Sequence, residues 1–226
     1  MIFTNMAANS STTDATTYTT LSITPKANTL ILLSFESRTA TPPATNPTVT
    51  GCNLTWVEIN NISNPTGNRR ITVFRALGNA PTTGTVTIDC GGQTQTAAVL
   101  DITEVSGTDI SGTDGSGAIV QSATLLGPSA TGTTITLAAF SSVNNVAFGA
   151  IMHVVNENTN PGSGFTEISD QGHSDAGGSS RLLTEYKIND TTVDASWATS
   201  SGNLSVALEI KNAVGRPMLC LLGVGT

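Results

Sequence analysis

The amino-acid sequence predicts an all-β protein, an antiparallel β-sandwich of jelly-roll-like form. Short runs rich in Val, Ile, Thr, Leu and Phe alternate apolar with polar residues, as strands with two different faces do. Clusters of Gly, Asn, Pro and Ser separate these runs about every ten residues, which is the spacing of turns in a sandwich. No window repeats apolar residues at helical spacing over the length of a helix, so we expect very little helix.

The strands of the first half follow one another in order along the chain. We expect them in ANTLILLSFES (27–37), GCNLTWVEI (51–59), GNRRITVFRALGNA (67–80) and TVTIDCGGQTQTAAVLDITEV (85–105). In the third segment Ile71 and Val73 lie on one face of the strand and Phe74 lies on the other. Because both faces are apolar, this strand should be covered on each side. Trp56 shares a face with Leu54, and we expect it to be mostly buried between layers.

Four segments of the second half match those of the first half in the same order. They are VNNVAFGAIMHV (143–154), GSGFTEISD (162–170), GSSRLLTEYKINDT (178–191) and TVDASWATSSGNLSVALEIKN (192–212). Any two Thr-rich β-segments align loosely, which is the alternative explanation. Both halves, however, also share a Gly-x-x-Leu/Phe-Thr element and a Gly-x-x-Arg entry to the next strand. These shared elements favour an internal duplication.

The duplication predicts how the chain is organised. Two halves, about 15–106 and 118–213, should pair in a pseudo-twofold relation within a single β-sandwich that spans residues 1–213. The connector GTDISGTDGSG (107–117) has the composition of a flexible linker. Residues 214–226 continue beyond the last matched strand and form a C-terminal arm.

Charge and cysteine content argue against several classes of function. Nine Lys and Arg against 16 Asp and Glu give a net charge of −7, which opposes nucleic-acid binding. No apolar run approaches the about 18 residues of a membrane span, and the first residues do not resemble a signal peptide. We therefore expect a soluble protein made in the cytoplasm, with no membrane partner. Three cysteines without Cys-x-x-Cys spacing fit free thiols, with a Cys52–Cys90 pair left open.

The order of these segments resembles a known family. The chain is similar to a non-catalytic sandwich module in the succession of NTLILLSF, GCNLTWVEI, RRITVFRAL, TGTVTID and AAVLDITEVSG. A weaker repeat of this succession follows and ends in LSVALEIKNA. That jelly-roll-like module occurs in bacterial surface proteins and in virion proteins of tailed bacteriophages. The resemblance covers roughly Ala15 to Ala213. We expect neither a signal peptide nor further modules, and this expectation favours the phage version of the module.

Two histidines are the candidates for a Ser-His-Asp hydrolase. His173 lies in SDQGHSDAGGSS beside Asp170 and Asp175, but no Gly-x-Ser-x-Gly motif accompanies it. We interpret His173 as a solvated loop residue and His153 as a polar residue at the end of a strand. The sequence therefore predicts no catalytic residue.

Carboxylates could serve glycoside hydrolysis or bind a metal. Glu167, Asp170 and Glu185 lie on segments that could be neighbours, but a glycosidase also needs a cleft with exposed aromatic faces. Aromatic residues are only 4% of the chain, and both tryptophans occur in alternating strand patterns. In the connector, Asp109 and Asp114 offer two carboxylates, too few for the six to eight oxygens of a calcium site. We expect no enzyme activity, no cofactor and no metal.

The C-terminal arm is the one segment that points to a partner. Its run MLCLLGV would expose a large apolar surface unless it packed back or entered a neighbour. The partner-binding residues that we predict in it are Arg216, Met218, Leu219, Leu221, Leu222 and Val224. A final strand packed onto its own sheet is the alternative.

The sequence and the resemblance together imply a virion structural protein of a tailed bacteriophage, assembled in the host cytoplasm. The expected role is a capsid decoration or cement protein, with a tail or fibre component as a variant. Its expected partners are the major capsid protein and copies of itself in a homo-oligomer. The alternative function is a carbohydrate-binding or adhesion module that recognises a glycan.

Overall fold

The chain consists almost entirely of antiparallel β-strands. The computed structural model describes residues 1–42, 44–64 and 67–213. The strands are β1 (Ile2–Ser11), β2 (Thr17–Thr19), β3 (Leu30–Thr39), β4 (Thr48–Gly51), β5 (Val57–Ser63), β6 (Arg69–Ala76), β7 (Val86–Asp89), β8 (Gln95–Ser106), β9 (Ile119–Thr136), β10 (Val146–His153), β11 (Asn160–Pro161), β12 (Thr166–Asp175), β13 (Gly178–Ile188) and β14 (Thr192–Ile210). A 3-10 helix at Ser116–Ala118 is the one helix in the part that the structure describes. The predicted all-β fold is confirmed.

The strands form three sheets. The first sheet has the order β1-β8-β3-β6-β5, and a small sheet has the order β2-β7-β4. The second sheet has the order β11-β14-β10-β13-β12, with β9 also paired to β14. In the second half no separate small sheet forms within the described residues: the distal part of β14 pairs with β9 on one side and with β11 on the other.

The two halves use the same strand order. Across the first sheet the strands follow one another in the order β1-β8-β3-β6-β5. Across the second sheet the corresponding order is β9-β14-β10-β13-β12. A register shift interrupts β5 between Glu58 and Asn60, and another interrupts β12 between Glu167 and Ser169. These irregularities occur at the corresponding place of the two edge hairpins. The jelly-roll classification and the twofold relation between the halves stay predictions.

A shared apolar core joins the two main sheets. Leu32 and Val73 of the first sheet pack in one cluster with Phe148 and Leu208 of the second. Each half also has a core on its outer face, one beneath the small sheet and one beneath the distal parts of β9 and β14. The first sheet is therefore covered on both sides, which confirms the expectation from the apolar faces of β6.

The edges of the two main sheets meet reciprocally. Strand β1 of the first half packs against β12 of the second half, and β9 packs against β5. Strand β1 also contacts β13, because the rings of Phe3 and Tyr186 stack with centroids 4.1 Å apart and planes 13° apart. The outer strands of each half therefore contact outer strands of the other half.

Two expectations about single residues concern Trp56 and the cysteines. Trp56 precedes β5 and is partly buried against the outer core of the first half, which agrees with the prediction that it is mostly buried. Its Nε1 donates to the carbonyl oxygen of Gly51 over 3.3 Å, which holds the ring over the turn and outside the sheet interface. Cys52 and Cys90 are buried free thiols, as predicted.

Candidate functional site

A group of charged and polar side chains, most of them buried, lies between the two main sheets. The first sheet contributes residues from β3 and β6, and the second contributes residues from β12 and β13. We call this group the inter-sheet polar cluster, and it consists of Glu36, Arg38, Arg69, His173, Asp175 and Ser180. The charges Glu36, Arg38 and Arg69 interrupt otherwise apolar strands, and this is the sequence signal that could have located them.

Glu36 is the acceptor at the centre of the inter-sheet polar cluster. Arg69 Nη1 donates to Glu36 Oε1 over 2.9 Å, and Ser180 Oγ donates to Glu36 Oε2 over 3.0 Å. His173 Nε2 lies 2.8 Å from Ser180 Oγ. Because the hydroxyl proton of Ser180 points to the carboxylate, His173 Nε2 must be the donor in its bond to Ser180. The Glu36 side chain is fully buried, so its bonds to these donors offset the loss of water.

Arg38 forms the second link between the halves. Its Nη2 lies 2.7 Å from both carboxylate oxygens of Asp175, and its Nε donates to Thr96 Oγ1 over 2.8 Å. The hydrogen bonds from Arg38 hold the pKa of Asp175 below its usual range. Arg69 Nη2 also donates to the carbonyl oxygen of Ser179 over 2.6 Å. Arg38 and Arg69 of the first half therefore both bind the β12–β13 hairpin of the second half.

The arrangement of Ser180, His173 and Asp175 resembles a hydrolase triad in composition but not in chemistry. A catalytic histidine accepts the serine proton, whereas His173 Nε2 donates to Ser180. His173 Nδ1 is 3.9 Å from Asp175 Oδ2, too far for a hydrogen bond. Both Ser180 and His173 are buried, so a substrate cannot reach the hydroxyl group. The cluster is therefore built to hold the halves together.

The position of His173 corrects the sequence-based interpretation. It is not a solvated loop residue, because SDQGHSDAGGSS forms most of the β12–β13 hairpin and His173 points into the sheet interface. Burial lowers the pKa of His173, which keeps the ring neutral at neutral pH. The Gly and Ser content of this segment is typical of a loop, and the sequence does not show that another sheet covers it.

His153 belongs to a separate buried network at the end of β10. Its ring stacks on Trp197, with centroids 4.5 Å apart, and its Nε2 lies 3.0 Å from Thr159 Oγ1. Thr159 in turn donates to Asp170, which also accepts two bonds from Arg181. Burial lowers the pKa of His153 to about 4, so the neutral ring packs as part of the core.

The three candidate carboxylates have different surroundings. Asp170 binds Arg181 over 2.8 Å, while Glu167 and Glu185 occupy paired positions on β12 and β13. Glu185 is fully buried, and this burial raises its pKa to about 8. Its Oε2 accepts one bond, from the backbone N–H of Gly162 over 3.1 Å. A carboxyl group closed off from solvent cannot protonate the leaving oxygen of a sugar, so the structure does not assemble a glycosidase pair.

The connector aspartates are also structural. Asp109 Oδ2 is 2.6 Å from Lys211 Nζ, and its Oδ1 accepts the backbone N–H of Ser111 over 2.8 Å. Hydrogen bonds from Lys211 and Ser111 lower the pKa of Asp109 to about 2. Asp114 has a positive φ of 50° in the turn before the 3-10 helix. Across the described ranges, no group of three or more His, Cys, Asp and Glu side chains is placed to hold a metal ion.

The predicted partner-binding residues Arg216, Met218, Leu219, Leu221, Leu222 and Val224 lie outside the described residues. Within the part of the chain that the structure covers, no helix is long and apolar enough to cross a membrane. Comparison of the chain with protein-family models, with curated proteins and with solved structures finds no match.

Proposed function

We propose that the protein is a non-catalytic structural component of a tailed-bacteriophage virion, and specifically a capsid decoration or cement protein. The observation that carries this proposal is the burial of the polar side chains that could otherwise take part in catalysis. His153, His173, Ser180 and Glu185 are all buried, and each is bonded within the fold. Such groups stabilise a scaffold, and a scaffold whose task is to bind other subunits needs no reactive group.

The fold supports this role mechanically. A shared apolar core and the inter-sheet polar cluster join the halves, so a load applied to one half is carried by the other. The surface has few charges, which suits contacts made of many weak polar and apolar interactions. When many copies bind one shell, these contacts sum through multivalency. In this proposal the protein binds major capsid subunits and copies of itself, with Arg216, Met218, Leu219, Leu221, Leu222 and Val224 contributing to the contact.

The alternative function, glycan binding, has less support. A sugar platform consists of exposed aromatic rings. Trp197 is buried, and its Nε1 donates to the carbonyl oxygen of Ala130 over 2.9 Å. None of the other aromatic side chains in the described residues is strongly exposed. A glycan would therefore have to bind polar loops without stacking.

The test is to look for the protein in particles and to measure its attachment. Peptides of the chain should be detected by mass spectrometry in purified virions of the phage that encodes it. Purified protein should also bind shells that lack it, and a variant that ends at Ala213 should bind more weakly. A variant with an exposed residue of the first half changed, Leu21→Ser, is the matched control and should bind as the full chain does. Absence of the protein from purified virions would refute the proposal.

A further inference from the structure

Strand β1 lies at an edge of the first sheet. It pairs with β8 on one side, and no strand of the described residues pairs with its other side. Its contact with β12 includes no strand pairing. The outer N–H and C=O groups of β1 therefore form a row to which another strand can bind.

The sequence of β1 lacks the features that usually block such an edge. Its ten residues, IFTNMAANSS, include no charged residue and no proline. Of the other edge strands in the described residues, β5 carries Glu58 and β12 carries Glu167. Strand β9 contains Pro128 and β11 contains Pro161, while β2 and β4 have only three and four residues. Charges, prolines and short length all disfavour pairing with a foreign strand, so β1 is the edge most open to it.

The second half of β1, residues 7–11, is the part best suited to pairing, because it follows the register shift and is continuous. The backbone N–H of Ser10 donates to Oδ1 of the neighbouring Asn9 over 2.8 Å, so this donor points away from β8. Since the outward groups of an antiparallel strand belong to every second residue, Ala8 also directs its N–H and C=O outward. A cavity of about 270 Å³ lies beside residues 9–11, between β1 and β2.

We propose that residues 7–11 of β1 pair with the same residues of a second copy, antiparallel and about a twofold axis at Asn9. Ala8 of each copy then lies opposite Ser10 of the other, and their outward groups exchange N–H···O=C bonds. Ala7 lies opposite Ser11. All these side chains are small or uncharged, so the strands can approach to the usual spacing of about 4.8 Å. The pairing joins two five-stranded sheets into one continuous sheet.

A second copy suits this edge because the edge is complementary to itself. In a twofold pair the same residues face one another, so an uncharged strand meets an uncharged strand. A pair of five-residue strands is smaller than a standard interface of about 1,600 Å², so we expect weak pairing that strengthens where many copies are held close together. The pairing goes beyond the proposed function and does not depend on the virion role.

Disulfide trapping in the full-length chain tests the pairing. On the twofold axis the two Asn9 residues form a pair without backbone hydrogen bonds, with Cα atoms about 4.5 Å apart, a separation that a disulfide spans. The test variant is Asn9→Cys, and the matched control is Thr131→Cys, at an exposed residue of the edge strand β9. Both also carry Cys220→Ser, and the native Cys52 and Cys90 are buried and should not react.

Under mild oxidation, Asn9→Cys should form a disulfide-linked dimer about tenfold faster or more than Thr131→Cys, because pairing raises the effective thiol concentration. Adding Ser10→Pro removes an outward donor without touching the ladder to β8 and should lower the rate to that of the control. Equal rates for Asn9→Cys and Thr131→Cys would overturn the proposal. A fast rate that a folded Ser10→Pro variant leaves unchanged would overturn it as well, since the contact would then not be a strand pair.

Hydrogen exchange of the unsubstituted protein provides a measurement that needs no variant. Exchange in peptides from β1 should slow as the protein concentration is raised, and exchange in peptides from β9 should stay the same. Exchange in β1 that does not change with concentration would contradict the pairing. Both experiments use purified protein, so absence of the protein from virions would not affect their outcome and the two proposals fail separately.

Discussion

Glu185 allows the sharpest test of how burial controls this fold. The substitution is Glu185→Gln, which keeps the shape of the side chain and removes its charge. In the folded protein Glu185 is fully buried on the face of β13 toward Gly149, where a Cβ would lie 3.3 Å from Glu185 Cγ. Its Oε1 has no hydrogen-bond partner among the described residues. The ionised form is therefore strongly disfavoured in the folded state.

The expected magnitude follows from the pKa. The pKa of Glu185 is raised from 4.5 to about 8 in the folded protein, chiefly by burial. At 1.36 kcal/mol for each pKa unit, ionisation on the native side costs on the order of 4–5 kcal/mol. The folded state binds the proton more tightly than the unfolded state, so the stability contributed by the neutral group is fully present below pH 4.5. It is lost as the pH rises through about 8.

Urea unfolding of the wild type and of Glu185→Gln between pH 4 and pH 9 measures this effect. The two proteins should have similar free energies of unfolding at low pH, and the variant should be more stable at pH 9 by up to the stated amount. Asp14→Asn, at an exposed acidic residue, is the control and should change little across the range. A difference between Glu185→Gln and the wild type that stays constant with pH would refute the reasoning, because Glu185 would then be ionised in the folded protein.

Three further substitutions test the packing. Arg69→Met removes the partner of the buried Glu36 and should destabilise the protein by about 3–5 kcal/mol in urea unfolding, with Glu36→Gln added to it restoring part of the loss. Gly149→Ala should cost about 1–3 kcal/mol, because the new Cβ would lie 2.4 Å from Val193 Cγ1. Gly202→Ala has no atom within 4 Å of its Cβ and should be nearly neutral, and equal effects of the two glycine changes would contradict this account. Trp197→Ala should lower stability by about 3–5 kcal/mol and shift the thermal midpoint, and an unchanged midpoint would show that the ring is not part of the core.

The strand pattern and the matching of the two halves could be predicted from the sequence. Alternation in RRITVFRAL places Ile71 and Phe74 on opposite faces, and each lies in a different core of the structure. The four matched segments correspond to strands with the same order in both halves. These features are local, because the two-residue period of a strand and the Gly at a turn each depend only on residues that are close together in the sequence.

The surroundings of the polar residues were decided by the tertiary structure. His173 was predicted in a solvated loop, and this prediction was wrong because its side chain is buried. The neighbours of His173 include Glu36, which is distant in the sequence and lies on the other sheet. The pairing of the sheets decides whether a polar side chain meets water or a buried partner. A sequence pattern therefore determines which face of a strand a residue occupies, while only the packing of the halves determines what covers that face.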